Sequence, residues 1–211
     1  MKARKYELTD ERYPSAPWLR RIRALVDIPR VGVRAGDLGG WVESEACLAQ
    51  SGDAWVSGDA RVYGAARVSG NARVYGAAWV SGNAQVYGAA RVSGDAWVSG
   101  AARVSGDARV SGDARVYGDA RVYGPDHTLT AGPLSSQGHH GTLTRQPGNA
   151  HQIMIGCWTG TVDQLRALAT SDDWPSECDQ QTRERYAPRL LAFAALCEAQ
   201  VALWTDAEEL S

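Results

Sequence analysis

The sequence predicts a mainly β protein: a parallel β-helix solenoid with an N-terminal β cap and a C-terminal α/β segment ending in a long helix. Three observations carry this. Valine recurs every six residues, twelve times without a break, from Val56 to Val122. Alanine stands four residues after these valines, from Ala60 to Ala120, and glycine two residues after each, from Gly58 to Gly124. The unit reads Val-(Ser/Tyr)-Gly-(Asp/Asn/Ala)-Ala-(Arg/Trp/Gln).

A period of six suits neither an amphipathic helix nor a plain strand. Each Val and the Ala two places before it have strand spacing, so both face inward. Gly beside Asp or Asn supplies the backbone freedom of a corner. One such face cannot bury its valines alone, whereas stacked coils can. Residues 53–124 are therefore read as the repeat. Val42 and Leu48 look like an irregular first piece, offset by two extra residues before Val56.

These hexads resemble those of the hexapeptide-repeat superfamily, whose motif sets an aliphatic residue at one position and a small one four later. The match covers about a third of the chain. The resemblance implies three hexads per coil, a left-handed winding and a homotrimer. Twelve hexads then make four coils, roughly 19 Å tall at about 4.8 Å per strand spacing. A second resemblance rests on YELTDE, RIRAL and AGDLGGWVESE ahead of the hexads. This order is similar to the YdcK-like group found in phages, prophages and enterobacteria, which points to an origin more than to an activity.

Residues 1–52 do not repeat and are read as a cap, because an open coil exposes unpaired backbone and apolar interior. RRIRALVDI and VGVRAGDLGGWVE contain short strand-like runs, with glycine turns at Gly36 and Gly39–Gly40. Residues 125–152, rich in Gly, Ser, Thr, Pro and His, are expected to form an extended or looped connector. The remaining residues, 153–211, form the C-terminal segment. IMIGCWTG reads as one short strand, and Thr161 with Gln164 as a capping box opening a helix through VDQLRALA. A longer helix is expected from about Ser176 to Trp204, with Pro188 as a kink or break. Leu190, Ala194, Cys197, Val201 and Trp204 form a packing seam along it, against its own chain or a neighbouring subunit.

A net charge of −2 recruits neither nucleic acid nor an acidic membrane surface. No apolar run approaches a membrane span, and the N-terminus lacks a secretory apolar core. Cys47, Cys157, Cys178 and Cys197 are scattered without CxxC spacing, so neither a metal site nor a disulfide framework is expected. A cytoplasmic setting follows, the host's cytoplasm if the gene is a phage's.

The outward residues before each valine stack in three columns. Trp55, Arg73, Arg91 and Arg109 form the first. Arg61, Trp79, Trp97 and Arg115 form the second, flanked by Tyr63 and Tyr117. Arg67, Gln85, Arg103 and Arg121 form the third. Stacked arginines repel unless something intervenes. The corner acids Asp59, Asp95, Asp107, Asp113 and Asp119 could pair with them, or Trp and Tyr faces could take the guanidinium groups. The plain reading is a solvated, self-compensating surface. The functional reading is a flat cation–aromatic face, with Arg61, Arg73, Trp79, Arg91, Trp97, Arg109, Arg115 and Tyr117 as binding candidates. Trp79 and Trp97 stand out as two adjacent tryptophans expected to be exposed.

The familiar activity of the hexapeptide-repeat superfamily is acyl transfer from coenzyme A, with a histidine base and a loop interrupting the coils. This chain departs from that pattern: no histidine occurs before His127 and no insertion interrupts the hexads. His139 and His140 are the alternative catalytic candidates, in a Gly-flanked loop expected to hold a base poorly. Ice binding needs threonine rows, and the hexads contain no threonine. Cys157 reads as a buried structural cysteine. The expectation is a non-enzymatic oligomeric protein without cofactor that binds a host protein or a small anionic, nucleotide-like metabolite, in a phage setting countering a host defence. The alternatives are a coenzyme A-dependent acyltransferase and a structural virion component.

Overall fold

The computed structural model describes residues 4–171 and 179–209, and the side chains of all of these except 149 and 205–209. The chain divides into two compact units, Met1–Pro125 and Asp126–Ser211.

In the first unit each hexad contributes a two-residue strand, twelve in all from β4 (Trp55–Val56) to β15 (Arg121–Val122). Glycine at positive φ turns the chain between them, as at Gly88 with φ +70°. The strands pair in parallel with partners eighteen residues away: Val62 with Val80, Val80 with Val98, Val98 with Val116. Backbone N–H groups of one coil donate to carbonyls of the next, as from Arg61 to Ala78 at 2.9 Å and from Tyr63 to Val80 at 3.1 Å. The valines from Val56 to Val122, and the alanines four residues after them from Ala60 to Ala120, are at most 1 % exposed. Such a narrow interior has room for nothing larger, which is why the repeat uses only Val and Ala there.

The irregular first piece completes a further coil. Val42 pairs with Val62 and Leu48 bridges Val68, each twenty residues apart, while Val56 meets Val74 at eighteen. The solenoid thus has about five turns. Three longer strands extend one of its sheets: β1 (Tyr6–Tyr13), β2 (Ala16–Ala24) and β3 (Leu38–Val42), antiparallel to one another, with β3 joining the parallel stack. Gly39 and Gly40 lie within β3, not in the turn that the sequence suggests. The reason is close packing: a Cβ on Gly39 would stand 2.5 Å from Ile22 Cγ1, and one on Gly40 2.8 Å from the Ala60 carbonyl.

The start of β1 closes over the first coil. Tyr6 is fully buried, its hydroxyl donating to the Leu48 carbonyl at 2.7 Å and to that of Glu45 at 3.2 Å. Lys5 is 5 % exposed and its ammonium donates to the carbonyls of Ala54 at 2.8 Å and Gly52 at 3.3 Å. The Leu48 and Ala54 carbonyls are buried and need such donors. Burial lowers the Lys5 pKa to about 8, against an opposing pull from Asp53.

The second unit is a four-stranded antiparallel sheet of β16 (Thr128–Ala131), β17 (Gly141–Arg145), β18 (His151–Ile155) and β19 (Trp158–Gly160), followed by two helices. Two of these strands occupy the segment read as a connector. IMIGCWTG forms a hairpin with its turn at Gly156–Cys157 in place of one strand, and Cys157 is exposed on that turn. Helix α1 (Val162–Thr170) opens on the capping box of Thr161 and Gln164. Helix α2 (Gln180–Glu209) runs on through Pro188 without a break. The expected start at Ser176, like Cys178, lies outside the described residues. Leu190, Ala194, Cys197 and Trp204 are buried, with Val201 packed alongside, in one core with Leu143, Ile153 and Leu165. The seam therefore packs on its own chain. Gly141 is where α2 comes closest: a Cβ there would lie 2.4 Å from Phe193 Cε1. Burial pushes the Cys197 thiol up to about 12. Among the described residues no helix is long and apolar enough to cross a membrane.

Candidate functional site

The eighteen-residue register aligns the outward columns as the spacing requires. Trp41, Arg61, Trp79, Trp97 and Arg115 pair in sequence along one sheet. Trp55, Arg73, Arg91 and Arg109 run along a second, and Arg67, Gln85, Arg103 and Arg121 along a third. Arg73, Arg91 and Arg109 thus belong to a different sheet from Arg61, Trp79, Trp97, Arg115 and Tyr117, and the eight binding candidates do not share one face.

On the Trp41 sheet the side chains form a continuous ladder of rings and guanidinium groups. Arg61 lies between two rings, its Cζ 4.2 Å from the Tyr13 centroid and 4.5 Å from that of Trp79. Trp79 meets Trp97 at 5.5 Å with the rings tilted by 53°. Tyr63 edges onto Trp79 at 6.4 Å and Tyr117 onto Trp97 at 5.7 Å. Beyond Arg61, Tyr13 packs edge-on to Trp41 at 5.1 Å, and Arg21 stands 5.0 Å over the Trp41 ring. Edge-to-face rings at such separations are each worth about 0.5–1.5 kcal/mol beyond the area they bury.

This arrangement corrects two expectations. Trp79 and Trp97 are partly buried rather than exposed, because the rings on either side cover them. Trp55 is 3 % exposed, its face closed by the edge of Tyr6 at 6.4 Å. The corner acids also do less than expected. Among the described residues no ion pair joins Asp59, Asp95, Asp107 or Asp119 to Arg61, Arg67, Arg73, Arg91, Arg103 or Arg121. Two of the column arginines rest on aromatic rings instead: Arg61 between Tyr13 and Trp79, and Arg73 5.6 Å over Tyr75.

Three nitrogens on the ladder, Trp41 Nε1, Arg61 Nε and Trp97 Nε1, are buried without an acceptor. Burying such donors costs free energy that packing on rings offsets only in part. Burial also pushes the Tyr117 phenol up; Arg115 pulls it partly back, and Tyr63 adds to the rise. Tyr13 and Trp41 escape a reading of the repeat because they lie outside it. The only sequence signal for them is that Trp41 precedes Val42 as the other outward residues precede their valines.

The alternative candidates sit in the second unit. His139 is partly buried, not loose: its Nδ1 lies 3.1 Å from Ser135 Oγ, which also accepts from the His139 N–H at 3.1 Å. A Cβ on Gly156 would come within 2.7 Å of that Nδ1, so the ring rests on the β18–β19 turn. Among the described residues no carboxylate is bonded to His139. His140 is partly buried beside Gly132, whose Cβ would stand 2.7 Å from the imidazole Cδ2. His151 serves the structure: its Nε2 accepts the Val162 N–H at 3.1 Å, at the first turn of α1.

The coils match the family model of the YdcK β-solenoid repeat, over residues 66–82, 84–100, 102–116 and 114–124. No curated protein matches the chain. The match and the stacked coils agree that this is a repeat β-solenoid protein.

Proposed function

We propose that the chain works by binding rather than catalysis, and that the ladder from Trp41 to Arg115 holds a small anionic ligand with a planar ring, of nucleotide type. The observation that carries this is the ladder itself: guanidinium groups and aromatic rings share one sheet, and Arg61, Trp79, Trp97 and Arg115 on it are partly exposed. Rings of Trp and Tyr offer stacking area, and arginine answers phosphate in a bidentate geometry. The solenoid carries eight arginines against six aspartates over residues 53–124, an excess of two positive charges in a chain whose total is −2.

The same reading places the chain among hexapeptide-repeat proteins, supported by the six-residue unit and the eighteen-residue coil. It also favours a homo-oligomer, and a phage-encoded setting in which ligand capture blunts a host defence. A host protein seated on the ladder is the competing occupant.

Calorimetric titration of the full chain with AMP, GMP, acetyl-coenzyme A and inorganic pyrophosphate tests the reading. Ligands with a ring and a phosphate should bind, and pyrophosphate alone should bind at least about tenfold more weakly, having no ring to stack. Trp79→Ala and Trp97→Ala should each weaken binding by about tenfold or more, and Arg91→Glu, on a different sheet, much less. Equal loss in Arg91→Glu would move the site off the ladder. Steady consumption of acetyl-coenzyme A, abolished by His139→Ala or His140→Ala, would replace binding by acyl transfer.

A further inference from the structure

The N-terminal end of the ladder opens into a cavity of about 360 Å³ lined by Glu11, Arg12, Tyr13, Pro14, Ser15, Trp41 and Asp59. It lies between the β1–β2 hairpin tip and the first coils and shares Tyr13 and Trp41 with the ladder, whereas Glu11, Arg12, Ser15 and Asp59 take no part in the stacking of Arg61, Trp79 and Trp97.

The charges around it argue against an ionic occupant. Glu11 and Asp59 carry carboxylates at the cavity, which disfavours an anion. Arg12 lines it as well, and the guanidinium groups of Arg61 and Arg21 already stand on the Tyr13 and Trp41 rings at 4.2 and 5.0 Å, which disfavours a cation. Glu11 is paired with Arg21 at 3.3 Å, and Arg12 donates to the Pro17 carbonyl at 2.8 Å. The remaining N–H groups of Arg12, the hydroxyl of Ser15 and the carboxylate of Asp59 together offer both donors and acceptors.

The walls also argue against a flat occupant. Tyr13 and Trp41 meet at 80° with centroids 5.1 Å apart, forming a corner and not a slot. A nucleobase stacks between parallel faces. A corner of two perpendicular rings instead fits a puckered ring with apolar C–H faces and polar edges. Trp41 is 4 % exposed, with Arg21 over its ring, so it forms the floor of the corner and the half-buried Tyr13 its wall. Uncharged, puckered, C–H-faced and rich in hydroxyl groups describes a sugar ring. We propose that this corner binds a neutral hexose or N-acetylhexosamine, its C–H face on the side of the half-buried Tyr13 ring away from Arg61 and its hydroxyls shared among Asp59, Glu11, Arg12 and Ser15. The site does not depend on the ladder's ligand.

Saturation-transfer NMR on the full chain tests this with free glucose, galactose, mannose and N-acetylglucosamine and with their methyl glycosides, each at about 10 mM. A lone sugar ring in an open site of this size should bind at about millimolar strength. Binding of the glycosides as well as the free sugars identifies a glycan end; binding of the free sugars alone identifies a monosaccharide. Anionic N-acetylneuraminate and cationic glucosamine should transfer at least about tenfold less. Asp59 is exposed, so Asp59→Ala should leave the far-UV spectrum unchanged and reduce transfer by about tenfold. Glu11→Gln provides a second variant with the side chain's shape retained. No transfer from any neutral sugar, transfer indifferent to both variants, or equal transfer from the charged sugars would each overturn the assignment. A sugar result of either sign leaves the nucleotide titrations of the ladder to stand or fall alone.

Discussion

Replacing Gly88 and Gly112 by alanine, one at a time, separates two reasons for a glycine at each corner. Both have positive φ, +70° and +62°. An alanine in that region costs about 1–2 kcal/mol, of which about 0.4–1 kcal/mol is returned because alanine stiffens the unfolded chain. Their surroundings differ. A Cβ on Gly88 would stand 2.8 Å from the Gly106 nitrogen and 3.4 Å from its Cα, whereas one on Gly112 meets nothing within 4 Å. Gly106 belongs to the next coil, and its carbonyl accepts the Ala89 N–H at 2.9 Å, so that backbone cannot retreat without loosening the stack. Overpacking of this kind adds about 1–3 kcal/mol. Gly112→Ala should therefore cost about 1 kcal/mol and Gly88→Ala about 2–4 kcal/mol. At about 2–4 °C per kcal/mol, the difference of about 1–3 kcal/mol should separate the two variants by roughly 2–12 °C in Tm. Far-UV circular dichroism during heating and in urea measures both. Equal destabilisation would show that the corner glycines answer only to their own backbone angle, and the argument from coil spacing would fail.

Two further outcomes follow from the sites described. The His151 pKa is lowered, mainly by burial with Asp163 opposing, and its Nε2 must be unprotonated to accept the Val162 N–H. A group whose folded pKa lies below its unfolded value near 6.5 favours the folded state fully above that value. That contribution is lost as pH falls from about 6.5 towards the folded pKa. Urea unfolding of wild type and His151→Ala should differ by about 1 kcal/mol at pH 7.5, and the gap should narrow as pH falls below about 6.5; a constant gap would remove the titration from the account. For the ladder, a double-mutant cycle of Tyr13→Leu and Arg61→Met should show a coupling of about 0.5–1 kcal/mol. Additive losses would mean that the 4.2 Å stacking contributes nothing measurable.

The solenoid is legible in the sequence because its period leaves no freedom: once Val62 lies under Val80, every outward residue has a fixed neighbour eighteen positions away. Arg61, Trp79, Trp97 and Arg115 can thus be aligned without coordinates. What spacing cannot carry is contact made by the unrepeated ends. Tyr13 on Arg61 and Tyr6 on Trp55 join residues nearly fifty positions apart, and they change an exposed column into a covered one. The connector hides its strands for a different reason. Thr-Leu-Thr-Ala and Gly-Thr-Leu-Thr-Arg do alternate, but over only four and five residues, amid Gly, Pro and His that favour loops. Their strand state is fixed by pairing with β18 and by the core under Leu143, both set by distant sequence. Spacing also leaves open whether Arg61 pairs with a corner acid or stacks on Trp79, whose ring, eighteen residues on, stands directly beside its guanidinium group.

The eighteen-residue coil makes this protein count in threes. Deleting or duplicating three hexads removes or adds one storey and leaves each later side chain on the face it had before. Deleting a single hexad rotates everything downstream by one face, so that Gln85 would take the place of Trp79 over Arg61. Whole-storey changes alter only the height of the tower, while a one-hexad slip rewrites the chemistry of all three walls with its valine interior untouched.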